Sequence, residues 1–157
     1  MTSRIRKCFV FDLDKTLWKF IAEDNPNLTR NQVQNLVFPK TFSLLNCIKQ
    51  KNHKLAIASR GINKGLSMKY LRWTNLYPYF DTIHIYPTNE LYHAQDKTYH
   101  LKNISNELKC SVDNMIFFDD EEGVIEHVRN KPYCFHCPDG ITDDIYDNVS
   151  LIIQDNV

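Results

Sequence analysis

The sequence predicts an α/β fold built on a mostly parallel sheet of five strands. One observation is that short apolar runs alternate along the chain with longer segments whose apolar residues recur at helical spacing. Another is that these runs are apolar throughout rather than at every second residue, which is typical of parallel strands buried on both faces. With 157 residues, the chain is expected to form one domain, residues 1–157.

The first strand is predicted at residues 8–11, an unbroken apolar run that ends at Asp12. Parallel sheets bind ligands at the carboxyl ends of their strands, so this carboxylate stands where a ligand would bind. Asp14 and Thr16 follow at two-residue spacing. Two carboxylates this close repel each other unless a cation or a proton lies between them. The pattern therefore favours a catalytic site over a charged turn.

The next segment, residues 19–39, is polar and rich in asparagine. Its helical spacing is limited to Val33, Leu36 and Val37, so we predict a long loop with one helical turn, placed over the ends of the strands. Loops of this length in compact domains are usually functional.

The rest of the chain alternates helices and strands. Helices are predicted where apolar residues recur every three or four positions, and strands where apolar residues run together. The predicted elements are a helix at 40–52, a strand at 54–58, a helix at 63–73, a strand at 81–86, a helix at 98–109, a strand at 114–118, a helix at 123–130, a strand at 133–137 and a helix after residue 140.

Composition and charge argue against several classes of function. The 19 basic and 19 acidic residues give a net charge of zero, which gives no support for a nucleic-acid or membrane-surface partner. No apolar stretch approaches the roughly 20 residues of a membrane span, and the N-terminus does not resemble a signal peptide. The five cysteines are expected to be reduced thiols. We therefore expect a cytoplasmic protein that acts as a monomer.

The carboxyl ends of the predicted strands carry residues suited to one reaction. Carboxylates without a partnering histidine or cysteine suit a hard cation such as Mg²⁺. A hydroxyl and a lysine beside that cation suit the oxygens of a phosphate group. We therefore predict a phosphoryl-transfer site made by Asp12, Asp14, Ser59, Arg60, Lys97, Asp119 and Asp120.

These segments resemble the motifs of the haloacid dehalogenase superfamily and, more narrowly, the magnesium-dependent phosphatase-1 family. The resemblance implies a Rossmann-like three-layer sandwich without a sizeable cap domain, a Mg²⁺ cofactor and an aspartyl-phosphate intermediate. The matching segments, in the expected order, are Asp12-Leu-Asp-Lys-Thr-Leu-Trp18, Ala58-Ser-Arg60, Ile85-Tyr-Pro87, Lys97-x-x-His100 and Ile116-Phe-Phe-Asp-Asp-Glu121.

The resemblance also implies a role for each site residue. Asp12 would be the nucleophile, and Asp14 the acid that protonates the leaving oxygen and then the base that activates water. Mg²⁺ would be held by Asp12, the backbone carbonyl of Asp14 and Asp120. Thr16 and Asp119 would support the site, Asp119 by orienting the lysine or a metal-bound water. The residues expected to bind substrate are Leu13, Asp14, Ser59, Arg60 and Lys97.

Alternative functions remain open at this point. Asp14-Lys15-Thr16 also resembles the phosphorylated segment of ion-pumping ATPases, but Leu17 and Trp18 stand where that segment has glycine and threonine. A catalytically silent phosphate-binding or phosphoprotein-binding module would have no use for an acid at Asp14. A phosphotransferase usually needs a cap that excludes water. The substrate class stays open between phosphoproteins, phosphotyrosine included, and small metabolites such as sugar phosphates.

Three further expectations concern the surroundings of the site. Without a cap the mouth over Asp12 should be open, and specificity should depend on residues 19–39 and 87–96. Cys134 and Cys137 are interpreted as structural thiols rather than a zinc or redox site. His93 and His100 flank the lysine and could touch substrate, but a surface position is the commoner case and is the one expected.

Overall fold

The computed structural model describes residues 7–128 and 132–155 and contains the predicted five-stranded sheet. All neighbouring strands pair in parallel, in the spatial order β3-β2-β1-β4-β5. The strands are β1 (Cys8–Phe11), β2 (Lys54–Ser59), β3 (Thr82–Ile85), β4 (Met115–Asp119) and β5 (Tyr133–His136).

Helices cover both faces of this sheet, because successive side chains of each strand point to opposite faces. The helices are α1 (Arg30–Asn35), α2 (Thr41–Gln50), α3 (Lys64–Trp73), α4 (Thr98–Leu108), α5 (Glu122–Val128) and α6 (Asp143–Asp155). In β1, Phe9 and Phe11 pack with side chains of α1, α2, α3 and α6, whereas Cys8 and Val10 pack with those of α4 and α5. The α/β class and the three-layer arrangement are confirmed.

The strand order places a topological switch point between β1 and β4. The chain builds the sheet outward from β1 through β2 to β3, then returns to the other side of β1 with β4 and β5. Phe11 pairs with Phe118, so Asp12 and Asp119 follow at the same level on neighbouring strands. Ligands of open α/β sheets bind outside the strand ends at such a point.

The segment 19–39 contains more regular structure than its sequence predicted. It holds a 3₁₀ turn at Ala22–Asp24 as well as α1, which begins with a capping box between Thr29 and Gln32. The hydroxyl of Tyr70 fastens this segment to α3 by donating to the carbonyl of Asn25 (2.6 Å). The one predicted helical turn is therefore α1, and it packs beside α3.

Helix α4 begins next to the predicted site. Lys97 is its N-cap residue. The carboxylate of Asp96 accepts the backbone N–H of Thr98 at 2.8 Å and so provides a partner for one N–H group of the first turn. Across residues 7–128 and 132–155, the structure contains no helix with the length and apolar character that crossing a bilayer would require.

Candidate active site

A cleft of about 270 Å³ opens where β1, β2 and β4 end. Its walls come from four separate parts of the chain, which the parallel sheet brings together. Lys97 and Asp119 lie beneath its floor and are almost completely buried. The residues that line the cleft are Asp12, Asp14, Lys15, Ile21, Glu23, Ser59, Arg60, Gly61, Asp120 and Glu121.

Asp12 lies at the floor of the cleft with only 8% of its surface exposed. Its Oδ1 accepts a hydrogen bond from Lys97 Nζ at 2.8 Å, and its Oδ2 accepts one from Thr16 Oγ1 at 3.1 Å. Thr16 reaches this carboxylate because Lys15 adopts a left-handed conformation (φ 64°), which turns the chain back after β1. The carboxylate is thereby held in a fixed orientation towards the cleft.

Leu13 has a different environment from the residues on either side of it. Its side chain is fully buried in the core, and its carbonyl accepts the N–H groups of Thr16 and Leu17. Of the residues predicted to bind substrate, Leu13 could therefore contribute only through its main chain.

Lys97 joins the ends of three strands beneath the floor. Its ammonium group lies 2.8 Å from Asp12 Oδ1, 2.7 Å from Asp119 Oδ2 and 2.7 Å from the carbonyl oxygen of Ala58. Burial alone would lower the pKa of Lys97, but the charges of Asp119 and Asp12 raise it instead. All three N–H donors are engaged, so a direct contact with substrate would require one of these hydrogen bonds to be exchanged.

The carboxylates provide an oxygen-only set of donors that fits Mg²⁺. Asp12, Asp119 and Asp120 each place one oxygen within 4.8 Å of the others. Asp119 already accepts Lys97 at one oxygen and the N–H of Glu121 (3.0 Å) at the other. Asp120 is held less firmly, by a long 3.5 Å contact from the hydroxyl of Thr16 and by its contact with the carboxyl group of Asp12, which leaves it better suited to bind the ion directly.

Crowding of these acids is reflected in the pKa of Asp120. Burial, followed by its hydrogen bond with Asp12 and the negative charge of that residue, raises this pKa to about 8. A bound cation would offset the same repulsion, since an opposite charge favours the ionised form of a carboxyl group. The donor set and its charge are therefore consistent with a divalent-cation site.

Asp14 lies in the wall of the cleft. Its Oδ1 accepts hydrogen bonds from the indole N–H of Trp18 (2.8 Å) and the backbone N–H of Ala22 (3.1 Å). Burial nevertheless raises the pKa of Asp14 to about 6. The carboxyl group can therefore carry a proton near pH 6, as a general acid must.

Ser59 and Arg60 mark the end of β2. Ser59 is nearly buried, and its Oγ accepts the N–H of Gly61 at 3.2 Å, which leaves the hydroxyl hydrogen available to a ligand. The guanidinium of Arg60 forms an ion pair with Glu121 and donates to the carbonyl of Ala94 at 2.9 Å. A substrate contact by Arg60 would have to displace these partners.

Several contacts in the site could not be anticipated from sequence patterns. Glu23 lines the cleft and accepts the backbone N–H of Ile62, although it lies in a segment without a motif. Of residues 19–39, only Ile21 and Glu23 line the cleft, and residues 87–96 reach the site through the contact between Ala94 and Arg60. Only a few residues of the two segments that were predicted to set specificity therefore reach the cleft.

The expectation of surface histidines is wrong for His100, which is fully buried. His93 is exposed and stacks on His127 with ring centroids 4.4 Å apart. Cys137 is buried, and burial raises the pKa of its thiol, which disfavours the thiolate that zinc would need. The interpretation of Cys134 and Cys137 as structural thiols stays a prediction.

Comparison with known proteins supports the fold and places the chain among the acid phosphatases. The family model for acid phosphatases matches residues 4–150. An uncharacterised protein from Listeria monocytogenes serotype 4b superimposes with a TM-score of 0.66 at 16% identity, covering 95% of this chain and 99% of the other. A haloacid dehalogenase superfamily hydrolase from Ehrlichia chaffeensis gives 0.65 at 14% identity, with coverages of 97% and 98%.

A third similar structure contains a metal ion. It is the N-terminal part of a Bacteroides fragilis protein, described as containing a phosphatase domain and as complexed with Mg. The TM-score is 0.61 at 18% identity, and the alignment covers 96% of this chain and 40% of the other. At these identities the structural matches show a shared fold.

Proposed function

Because the chain belongs to the acid phosphatase family and has the haloacid dehalogenase fold, we propose that it is a Mg²⁺-dependent phosphomonoester hydrolase. It would work through an aspartyl-phosphate intermediate on Asp12. The observation that carries the proposal is the orientation of Asp12 by Lys97 and Thr16 on the floor of a cleft that also contains an acid of raised pKa, Asp14.

In the first step a carboxylate oxygen of Asp12 attacks phosphorus, and the bond to the ester oxygen breaks. Asp14 gives its proton to that oxygen as it leaves. Ser59 donates its free hydroxyl hydrogen to a phosphate oxygen, while Lys97 holds the nucleophile in place. A Mg²⁺ ion held by Asp12, the backbone carbonyl of Asp14 and Asp120 would screen the nucleophile from the negative charge of the phosphate.

In the second step a water molecule attacks the phosphorus of the aspartyl-phosphate. Asp14, now ionised, accepts a proton from that water, and the bond between phosphorus and the Asp12 oxygen breaks. Inorganic phosphate is released, and both carboxyl groups return to their starting states. One residue thus serves as acid and base in turn, which a pKa near 6 permits.

Removal of Mg²⁺ should stop turnover. Chelation should reduce phosphatase activity to background, and Mg²⁺ added in excess of the chelator should restore it. Asp120→Asn should raise the Mg²⁺ concentration needed for half-maximal activity at least about tenfold, because it removes an anionic ligand. Glu122→Gln provides a control, since Glu122 is exposed and does not line the cleft. Activity that survives chelation would contradict the metal dependence.

Asp14→Asn should distinguish substrates by their leaving groups. Alkyl phosphates need a proton on the leaving oxygen and should lose about 10²–10⁴-fold in rate, whereas nitrophenyl phosphate should lose much less. In the parent enzyme, kcat/KM for an alkyl ester should fall as pH rises through about 6, since Asp14 then loses its proton. Equal losses on both kinds of ester would contradict the acid role.

The cleft is open, and this affects the size of substrate that it can accept. The cleft lies at the protein surface and is bordered by positively and negatively charged side chains, including Lys15, Arg60, Glu23 and Glu121. An open cleft gains little binding energy from the remote parts of a small metabolite. We therefore include in the proposal that large or tethered phosphates are accepted, such as phosphotyrosine in proteins or phosphorylated sugars on proteins.

Steady-state kinetics on matched free and protein-linked phosphates would test this substrate class. We expect kcat/KM values for the two forms to agree within about tenfold, because the binding energy available beyond the phosphate is small. A single small sugar phosphate turned over far faster than every other ester, with phosphoproteins refused, would contradict the proposal. Binding of phosphate without turnover of any ester would instead indicate a silent module.

A further inference from the structure

His100 lies close to the site but takes no part in the steps of the proposed reaction. It lies three residues after Lys97 in the first turn of α4, so both side chains are on the same side of the helix. The ring is fully buried. Its Nε2 atom lies 2.8 Å from the carbonyl oxygen of Tyr86 and 3.1 Å from that of Ser59. These carbonyls lie at the ends of β3 and β2, beside the cleft.

The contacts determine which nitrogen of His100 carries the hydrogen. Both neighbours of Nε2 are carbonyl oxygens, so Nε2 must be the donor. Within residues 7–128 and 132–155, Nδ1 is buried and has no hydrogen-bond partner. The ring stacks on the phenol ring of Tyr86, with centroids 4.4 Å apart and planes 11° from parallel. Burial lowers the pKa of His100 to about 4, so the ring is neutral at physiological pH.

Helix α4 thus holds two successive carbonyl groups of β2. Lys97 donates to the carbonyl of Ala58, and His100 shares its single Nε2 hydrogen between the carbonyl of Ser59 and that of Tyr86. The Ser59 carbonyl also accepts the N–H of Tyr86 at 3.1 Å from the neighbouring strand. The backbone of Ser59 is therefore held from two sides, by β3 and by α4, at the point where its side chain enters the cleft.

We propose that His100 is a positioning residue for phosphate binding, which acts by fixing the backbone of Ser59 and so the direction in which its hydroxyl group faces the phosphate. The proposal rests on the proposed function, since it assigns Ser59 to the phosphate. Because the Ser59 hydroxyl already accepts the N–H of Gly61, a shift of the backbone would change the direction of the one hydrogen that it can donate. His100 itself does not line the cleft, whereas Ser59, whose carbonyl it contacts, does.

The test is a double-mutant cycle read by two measurements. The variants are His100→Phe, which keeps an aromatic ring but removes the donor, Ser59→Ala, and the double variant. One measurement is the affinity for inorganic phosphate with Mg²⁺ present, by calorimetry. The other is the separate change of KM and kcat on nitrophenyl phosphate. Calorimetry does not depend on turnover, so a failure of the catalytic proposal remains distinguishable from a failure of the role of His100.

We expect His100→Phe to weaken phosphate binding and raise KM by about tenfold, the effect of losing one hydrogen-bonded arrangement, with kcat changed less than about threefold. His100→Gln, which can still donate to a carbonyl, should retain affinity within about threefold. In the Ser59→Ala background, His100→Phe should have no further effect on affinity or KM. Leu101→Ala is the matched control, because it perturbs a buried neighbour on α4 and should leave affinity unchanged.

Three results would overturn the proposal: unchanged phosphate affinity in His100→Phe, independent effects of the two substitutions that multiply in the double variant, or an equal loss in Leu101→Ala. If His100→Phe does not fold, His100→Met, which also removes the donor, takes its place in the same cycle. A loss of affinity in His100→Met that persists without the serine hydroxyl would overturn the proposal. A parent protein that binds phosphate but turns over no ester would refute the proposed hydrolase while leaving the cycle measurable. A parent that binds no phosphate would overturn both.

Discussion

Asp12→Asn should abolish phosphomonoester turnover and leave the protein folded. The neutral amide cannot attack phosphorus as a carboxylate does, so we expect a loss on the order of 10⁴-fold or more in kcat. The amide oxygen can still accept a hydrogen bond from Lys97 or Thr16, which occupy the two carboxylate oxygens of the parent. Initial rates on nitrophenyl phosphate with Mg²⁺, together with thermal unfolding, would measure both properties.

The matched control for this substitution is Asp24→Asn. Asp24 is exposed in the 3₁₀ turn after β1 and does not line the cleft, so its amide variant should keep full activity. Mass spectrometry after acid quenching should detect phosphate on Asp12 in the parent and none in Asp12→Asn. Normal turnover in Asp12→Asn would exclude it as the nucleophile.

Lys97→Met should have the largest effect on stability. The substitution leaves Asp12 and Asp119 buried side by side without their shared cation. Breaking a buried pair by removing one partner typically costs about 3–5 kcal/mol of the free energy of unfolding. Activity should also be lost, since the nucleophile is no longer oriented. Denaturant unfolding at pH 7 would measure the cost, with Lys102→Met, an exposed lysine of α4, expected within about 0.5 kcal/mol of the parent.

The pH dependence of this variant provides a second check. Burial and the charge of Asp12 already raise the pKa of Asp119 to about 6, and removal of Lys97 removes a charge that lowers it. The folded variant would then bind more protons than the unfolded chain between pH 4 and 7, so its stability should increase as pH falls through that range. Adding Asp119→Asn should recover part of the lost stability. A loss no larger than that of Lys102→Met would contradict this account.

Strand prediction was accurate because it depends on a local property. A run of apolar residues such as Cys8 to Phe11 is typical of a strand that is buried on both faces, as the strands of parallel sheets are. Such a sheet places the residues that follow its strands at one edge, which is why the sequence predicts that Asp12, Ser59 and Asp119 belong to one site. The helical turn in residues 19–39 was also anticipated, whereas its packing beside α3 was not.

The sequence by itself determined the α/β class, the parallel sheet and the group of residues at the ends of its strands. The reason is that the spacing of apolar residues and the direction of each strand depend only on residues close together in the chain. Tertiary structure alone decided how these side chains are used. Position in the chain does not separate Asp119 from Asp120, and it was the family resemblance that assigned the metal to Asp120. In the structure, Lys97 and a backbone N–H occupy both oxygens of Asp119, which leaves Asp120 the better placed of the two to bind a cation. His100 follows a polar helix start and was expected at the surface, but the rotation of α4 against β2 and β3 buries it. The direction in which a side chain points depends on packing between elements that are distant in sequence, so a local sequence pattern does not predict it.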